Sequence, residues 1–117
     1  MTPVDVDLFT EQAAEAAAFL KTISNENRLL LLCHLASVDE ISVGDLNARV
    51  SLSQSALSQH LAKLREEGLV ATRKEAQTVY YRIYDPRAQR ILALLHDLFC
   101  PQSDLGSGLI TAIGDPK

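Results

Sequence analysis

No stretch of this 117-residue sequence approaches the roughly 18 consecutive apolar residues that a membrane-spanning helix needs. The longest apolar run, residues 29–36, is interrupted by His34. The opening of the chain carries Asp5, Asp7 and Glu11 in place of the basic start of a secretory signal, so the expected location is the cytoplasm. Cysteine is scarce. Two residues are too few for a disulfide-built fold, and where thiols are kept reduced such a pair suits regulation better than structure. There is also no Cys-x-x-Cys, no glycine-rich phosphate loop and no Ser/His/Asp constellation. A thiol oxidoreductase or peroxidase therefore lacks its machinery, and the chain reads as a non-enzyme without a cofactor. No internal repeat is visible.

What is present points to one domain with an ample core, since 47% of the residues are hydrophobic. The net charge of −4 is unevenly spread. Residues 49–82 hold six basic side chains (Arg49, Lys63, Arg65, Arg73, Lys74, Arg82) against three acidic ones, a local +3, while the remainder holds five basic against twelve acidic, or −7. Phosphate meets local charge, so the middle third is the candidate nucleic-acid face.

Hydrophobic spacing predicts a first helix over residues 9–23, with Phe9, Ala13, Ala16, Leu20 and Ile23 on one stripe, rich in alanine and open to close approach by a partner helix. Ser24 or Asn25 is placed to cap a second helix, apolar nearly all round through Leu29, Leu30, Leu31, Leu32, Cys33, Leu35 and Ala36 and so expected to be buried. Ser42-Val43-Gly44-Asp45 resembles a capping box for a short third helix facing inward through Val43, Leu46 and Val50. A tight Ser51-Leu52-Ser53 link leads to a fourth helix, with Leu57, Leu61 and Leu64 inward and Ser55, Ser58, Gln59 and Ala62 on another face. Gly68 ends it, and Leu69 is placed to close a Schellman cap. The period then changes to two. Strands are expected over residues 69–74 and 78–84, with Glu75-Ala76-Gln77 as the turn, and Val79, Tyr81 and Ile83 sharing a face opposite Tyr80 and Arg82. Asp85-Pro86 starts a last helix with the stripe Ala88, Ile91, Leu92, Leu95, Leu98 and Phe99. Pro101 stops it. Residues 1–101 form the expected domain and 102–117 a tail, with a short apolar contact expected between Leu109 and Ile113.

Helix, helix, tight turn, helix and β-hairpin is the order of a winged helix-turn-helix, a mainly α fold with a hairpin wing. Such a fold needs a second motif helix with a small polar face for the major groove. Ser55, Ser58 and Gln59 supply that face, flanked by Ser53, Gln54 and His60. Lys63 and Arg65 are within reach of phosphate, and Arg73, Lys74 and Gln77 cluster toward the hairpin tip. Each feature alone also reads as a solvated surface. The order in which they occur favours DNA.

The run Leu52-Ser53-Gln54-Ser55-Ala56-Leu57-Ser58-Gln59-His60-Leu61-Ala62-Lys63-Leu64-Arg65, with Gly68-Leu69-Val70, Arg73-Lys74-Glu75-Ala76-Gln77-Thr78-Val79-Tyr80-Tyr81 and Asn27-Arg28-Leu29, resembles the ArsR/SmtB family over residues 9–100. Within it, the resemblance is to the HlyU/BigR/SqrR branch of reactive-sulfur and redox sensors. It implies a repressor that binds double-stranded DNA at a pseudo-palindromic operator, as a homodimer built on its first and last helices. Metal-sensing relatives carry cysteines flanking the position of Val43, where this chain has Ser42 and Gly44. Their other site, on the last helix, needs histidines where this chain has Arg87 and Leu98, although Asp85 remains. The resemblance thus implies no metal site. It also implies that Cys33 and Cys100 lie near each other in one protomer and join through a disulfide or short polysulfide bridge, weakening operator binding when reactive sulfur or oxidants appear. A thiolate is the reacting species. His96, if protonated, favours it at Cys100, while the negative end of the helix opposes it. Cys33 alone also reads as a small core hydrophobe. A regulator that competes at a promoter with silent cysteines is the alternative.

Overall fold

The computed structural model describes residues 3–100. The tail, with the contact expected between Leu109 and Ile113, and Pro101 lie outside the described residues. The elements run α1 (Val6–Thr10), α2 (Ala13–Ile23), α3 (Glu26–Ala36), β1 (Ile41–Ser42), α4 (Val43–Arg49), α5 (Gln54–Glu66), β2 (Val70–Glu75), β3 (Thr78–Ile83) and α6 (Pro86–Phe99).

Helix starts follow from side chains able to bind the otherwise unpaired first amides. Asn25 Oδ1 accepts from the Arg28 amide at 3.0 Å, and Ser42 Oγ from that of Asp45 at 3.1 Å. Ser53 Oγ accepts from the Ala56 amide at 3.0 Å, and Asp85 Oδ1 from that of Arg87 at 2.9 Å. Gly68, at φ 81°, ends α5 in the left-handed region. There the amides of Gly68 and Leu69 bond to the carbonyls of Arg65 (3.0 Å) and Leu64 (2.9 Å), the two bonds of a Schellman cap.

The expected first helix is in fact two. The break at Glu11 and Gln12 follows from hydroxyl competition and a tightened turn: Thr10 Oγ1 donates to the Val6 carbonyl at 2.7 Å, and the Gln12 amide bonds Phe9 O at 2.9 Å. The second expected helix is only partly buried. Leu31, Leu32 and Leu35 are fully enclosed, but Leu30 is 52% exposed and Cys33 is exposed.

The sheet has three antiparallel strands in the order β1-β3-β2. Its two-residue edge strand β1, with Ile41 opposite Tyr81, was not expected. The first arm of the hairpin lies one residue later than expected, at Val70–Glu75, with Glu75 pairing with Thr78, so the turn is Ala76 and Gln77. Ala76 takes φ 56°, a conformation that costs a non-glycine residue about 1–2 kcal/mol. The core is a cluster of leucines from α3, α4 and α5, closed by Ile23, Ile41, Leu69, Val70, Ala88 and Leu92.

Candidate nucleic-acid interface and thiol pair

Helices α4 and α5 form the helix-turn-helix. The link between them is held by Asn47, whose Nδ2 donates to the Leu52 carbonyl at 3.1 Å, and by the Ser53 cap. Leu57, Leu61 and Leu64 anchor α5 in the core with at most 1% exposure. That fixes the rotation of α5 about its axis and leaves Gln54, Ser55, Ser58, Gln59, Lys63 and Arg65 in solvent, with His60 half-buried at the margin. Lys63 pairs with Glu67 at 3.6 Å, an exposed one-turn pair that a phosphate readily displaces. A groove of about 410 Å³ separates α5 from the sheet, lined by Val43, Ser58, Ala62, Arg65 and Tyr81 among others.

Of the expected wing residues, Lys74 and Gln77 are exposed near the tip. Arg73 is turned away from them. Its Nε and Nη2 bind the two carboxylate oxygens of Glu40 at 3.0 and 2.8 Å, and its Nη1 binds Glu75 at 2.6 Å. Its guanidinium also lies 4.5 Å from the Tyr80 ring centre. The Arg73 fork holds the Glu40 carboxyl below its usual range. Glu40 carries no motif, and its partner is 33 residues away, so sequence spacing offered no signal for this contact.

Asp85, which remained from a metal-type pattern, has its carboxylate occupied by Arg87. The arginine's Nη2 lies 2.7 Å and its Nε 3.1 Å from the carboxylate oxygens, and this fork keeps Asp85 in the charged form. Arg87 Nη1 reaches Glu15 on α2 at 2.9 Å and so ties α2 to α6. No group of three His, Cys, Asp or Glu side chains with metal-holding geometry occurs among the described residues.

Cys33 sits in the last turn of α3 and Cys100 is the C-cap of α6, its amide bonded to His96 O at 2.9 Å. Helices α3 and α6 pack together, with Gln89 Nε2 on α6 donating to the Ala36 carbonyl at 3.4 Å. Both thiols are free and exposed. Burial pushes the Cys33 thiol up from its ordinary value, and charge on Cys100 pushes it further in the same direction.

A helix-turn-helix with an exposed polar second helix, followed by a β-hairpin, defines a winged-helix DNA-binding protein. The family described as "Bacterial regulatory protein, arsR family" matches residues 25–72. The chain is 49% identical over 98 residues to the transcriptional activator HlyU of Vibrio cholerae serotype O1, covering 84% of this chain and 90% of that protein. The solved structure of reduced HlyU from Vibrio cholerae N16961 is similar at a TM-score of 0.73 and 51% identity, over 79% of this chain and 96% of that one. The transcriptional repressor BigR from Xylella fastidiosa is similar at a TM-score of 0.79 and 36% identity, over 85% of this chain and all of that one. The chain belongs to the ArsR family, whose members are DNA-binding transcriptional regulators and not enzymes. No helix among the described residues is long and apolar enough to cross a membrane.

Proposed function

We propose that this protein is a cytoplasmic repressor that binds a pseudo-palindromic operator as a homodimer and releases it when Cys33 and Cys100 become bridged. Ser53, Gln54, Ser55, Ser58, Gln59 and His60 meet bases and sugar in the major groove, and Lys63, Arg65, Lys74 and Gln77 meet the backbone. The dimer reading is supported by an apolar face that the protomer leaves open. Leu20 is 52% exposed, Leu94 50%, Leu98 64% and Phe99 78%, large apolar side chains on α2 and α6 that a partner copy would cover. Two copies of α5 then lie about one helical turn of DNA, or a multiple, apart.

The observation that supports the switch is that the two cysteines are free and exposed, and stand on α3 and at the end of α6, two helices that pack together. A thiolate of one attacks a sulfane sulfur of a polysulfide, breaking its S–S bond, and becomes a persulfide while the polysulfide shortened by one sulfur leaves as the anion. The second thiol attacks the persulfide, forms the disulfide and releases hydrogen sulfide, while a further sulfur retained gives a polysulfide bridge. Either product ties the end of α6, beside the open apolar face, to α3. A tenfold change in affinity needs ~1.4 kcal/mol between bridged and reduced forms.

The test is affinity for DNA from the protein's own upstream region, at fixed salt, in reduced, polysulfide-treated and re-reduced samples. Binding lost on treatment and recovered on reduction, with a Cys33→Ser variant indifferent to treatment, supports the switch. Equal affinity in all three states leaves the promoter-competition reading with silent cysteines.

A further inference from the structure

We propose that Arg73 is a positioning residue, a strut that fixes the wing against the exit of α3 through Glu40 and makes no phosphate contact of its own. The inference rests on the DNA-binding reading and reassigns one residue within it.

Three of the nitrogens of the Arg73 guanidinium are already committed. Nε and Nη2 form a two-pronged pair with Glu40, and Nη1 binds Glu75. A flat fork on a carboxylate is the best geometry an arginine makes. The plane stacks on Tyr80, the residue opposite Arg73 in the β2–β3 register, so the side chain is held from a fourth side. Taking up a phosphate would break this arrangement.

The placement of Glu40 gives the contact its purpose. Glu40 lies between the end of α3 at Ala36 and the start of β1 at Ile41. The backbone pairing of that segment with the sheet is β1, two residues long, with Ile41 opposite Tyr81 and Ser42 opposite Tyr80, while β3 also packs on α3, α4 and α6 and β2 on α5. Those packings hold the base of the hairpin, with Val70 in the core and Tyr81 and Ile83 against it, whereas the outer stretch from Arg73 to Gln77 is exposed. The Glu40–Arg73 fork adds a second attachment on β2, the strand that β1 does not touch. Arg82 on β3 adds positive charge that favours ionised Glu40. The wing thus moves with α3, the helix that carries Cys33, and Lys74 and Gln77 meet DNA in a set orientation.

The experiment measures duplex affinity against salt for wild type, Arg73→Gln, Arg73→Lys, Glu40→Gln and the double Glu40→Gln/Arg73→Gln variant. A strut predicts that each single variant weakens binding by about fivefold, the ceiling for one exposed ion pair. Arg73→Lys is no better than Arg73→Gln because lysine keeps the charge but loses the fork. The double variant is no worse than either single one, and the salt slope is that of wild type. A phosphate contact predicts the opposite: rescue by lysine, a slope flatter by about one in Arg73→Gln, and unchanged or tighter binding by Glu40→Gln. That set of results overturns the proposal. Hydrogen exchange of the β2 and β3 amides supplies a readout without DNA. Faster exchange in both Arg73→Gln and Glu40→Gln is expected, and wild-type exchange in both overturns the strut. Wild-type protein that binds no duplex at any salt would defeat the DNA-binding reading, and the exchange result would still decide the strut.

Discussion

The two halves of this protomer use the same kinds of residue to different ends. In α3, α4 and α5 most leucines are spent inside the chain: Leu31, Leu32, Leu35, Leu46, Leu57 and Leu64 have no measurable exposure, with Leu30 on α3 the exception at 52%. On α1, the outer face of α2 and the end of α6, apolar side chains stand in water, from Phe9 at 50% to Phe99 at 78%. Hydrophobic content is thus no guide to which half is finished. One half is a packed mount for α5, while the other leaves large apolar side chains exposed, which the proposed dimer would cover.

Truncation should separate the halves most sharply. Leu61→Ala removes a side chain 1% exposed at the centre of the inward face of α5, and is expected to cost about 2–5 kcal/mol. In a domain of this size each kcal/mol lowers Tm by roughly 4–8 °C, so a thermal melt reads the loss directly. Leu98→Ala, at 64% exposure, should leave the stability of dilute, monomeric protein within about 0.5 kcal/mol. Equal losses at the two positions would erase the distinction.

A charge on the open face comes next. Phe99→Asp is expected to shift the protein to monomer in sedimentation and to weaken operator binding by at least about tenfold, since one half-site must then be held without its partner. Its helical content should be that of wild type. A variant that stays dimeric would move the interface away from the end of α6.

Most of the mount was legible in the sequence because its signals are local. Caps at Asn25, Ser42, Ser53 and Asp85, the glycine after α5 and the switch of period from 3.6 to two each act within a few residues. What escaped was set by competition or by distance. The break after Thr10 has no proline or glycine to announce it, only a hydroxyl turned back on its own helix. Strand β1 is too short for a period. The pairing of Arg73 with Glu40 and of Arg87 with Glu15 joins positions 33 and 72 residues apart, beyond the reach of any local spacing.

Within the mount, the cap at the start of α5 sets a smaller scale. Ser53→Ala leaves the Ala56 amide without its side-chain acceptor and should cost about 1 kcal/mol in denaturant unfolding. Ser53→Asp, which keeps an acceptor next to the positive helix end, should restore stability but not DNA affinity, because it brings a negative charge to the phosphate-facing side. Restored affinity would place Ser53 away from DNA.

The smallest effect is expected where the two halves meet, at Cys33. Burial is the larger cause raising its thiol above an ordinary value of 9.0, and Cys100 the smaller one. The folded chain therefore holds this proton more tightly than the unfolded chain does. As pH rises, the unfolded chain ionises Cys33 first, so the stability present below about pH 9 is lost as pH climbs through the folded value. Reduced wild type should lose slightly more stability than Cys33→Ser between pH 8 and pH 10, with lysines and tyrosines cancelling in the difference. The rate of Cys33 alkylation should likewise rise with pH later than that of a free thiol. In Cys100→Ser the midpoint of that profile should fall, though only part of the way, because burial remains. An unmoved midpoint would mean that the sulfurs do not sense each other across the α3–α6 junction, and the packed mount would lose its chemical link to the open face.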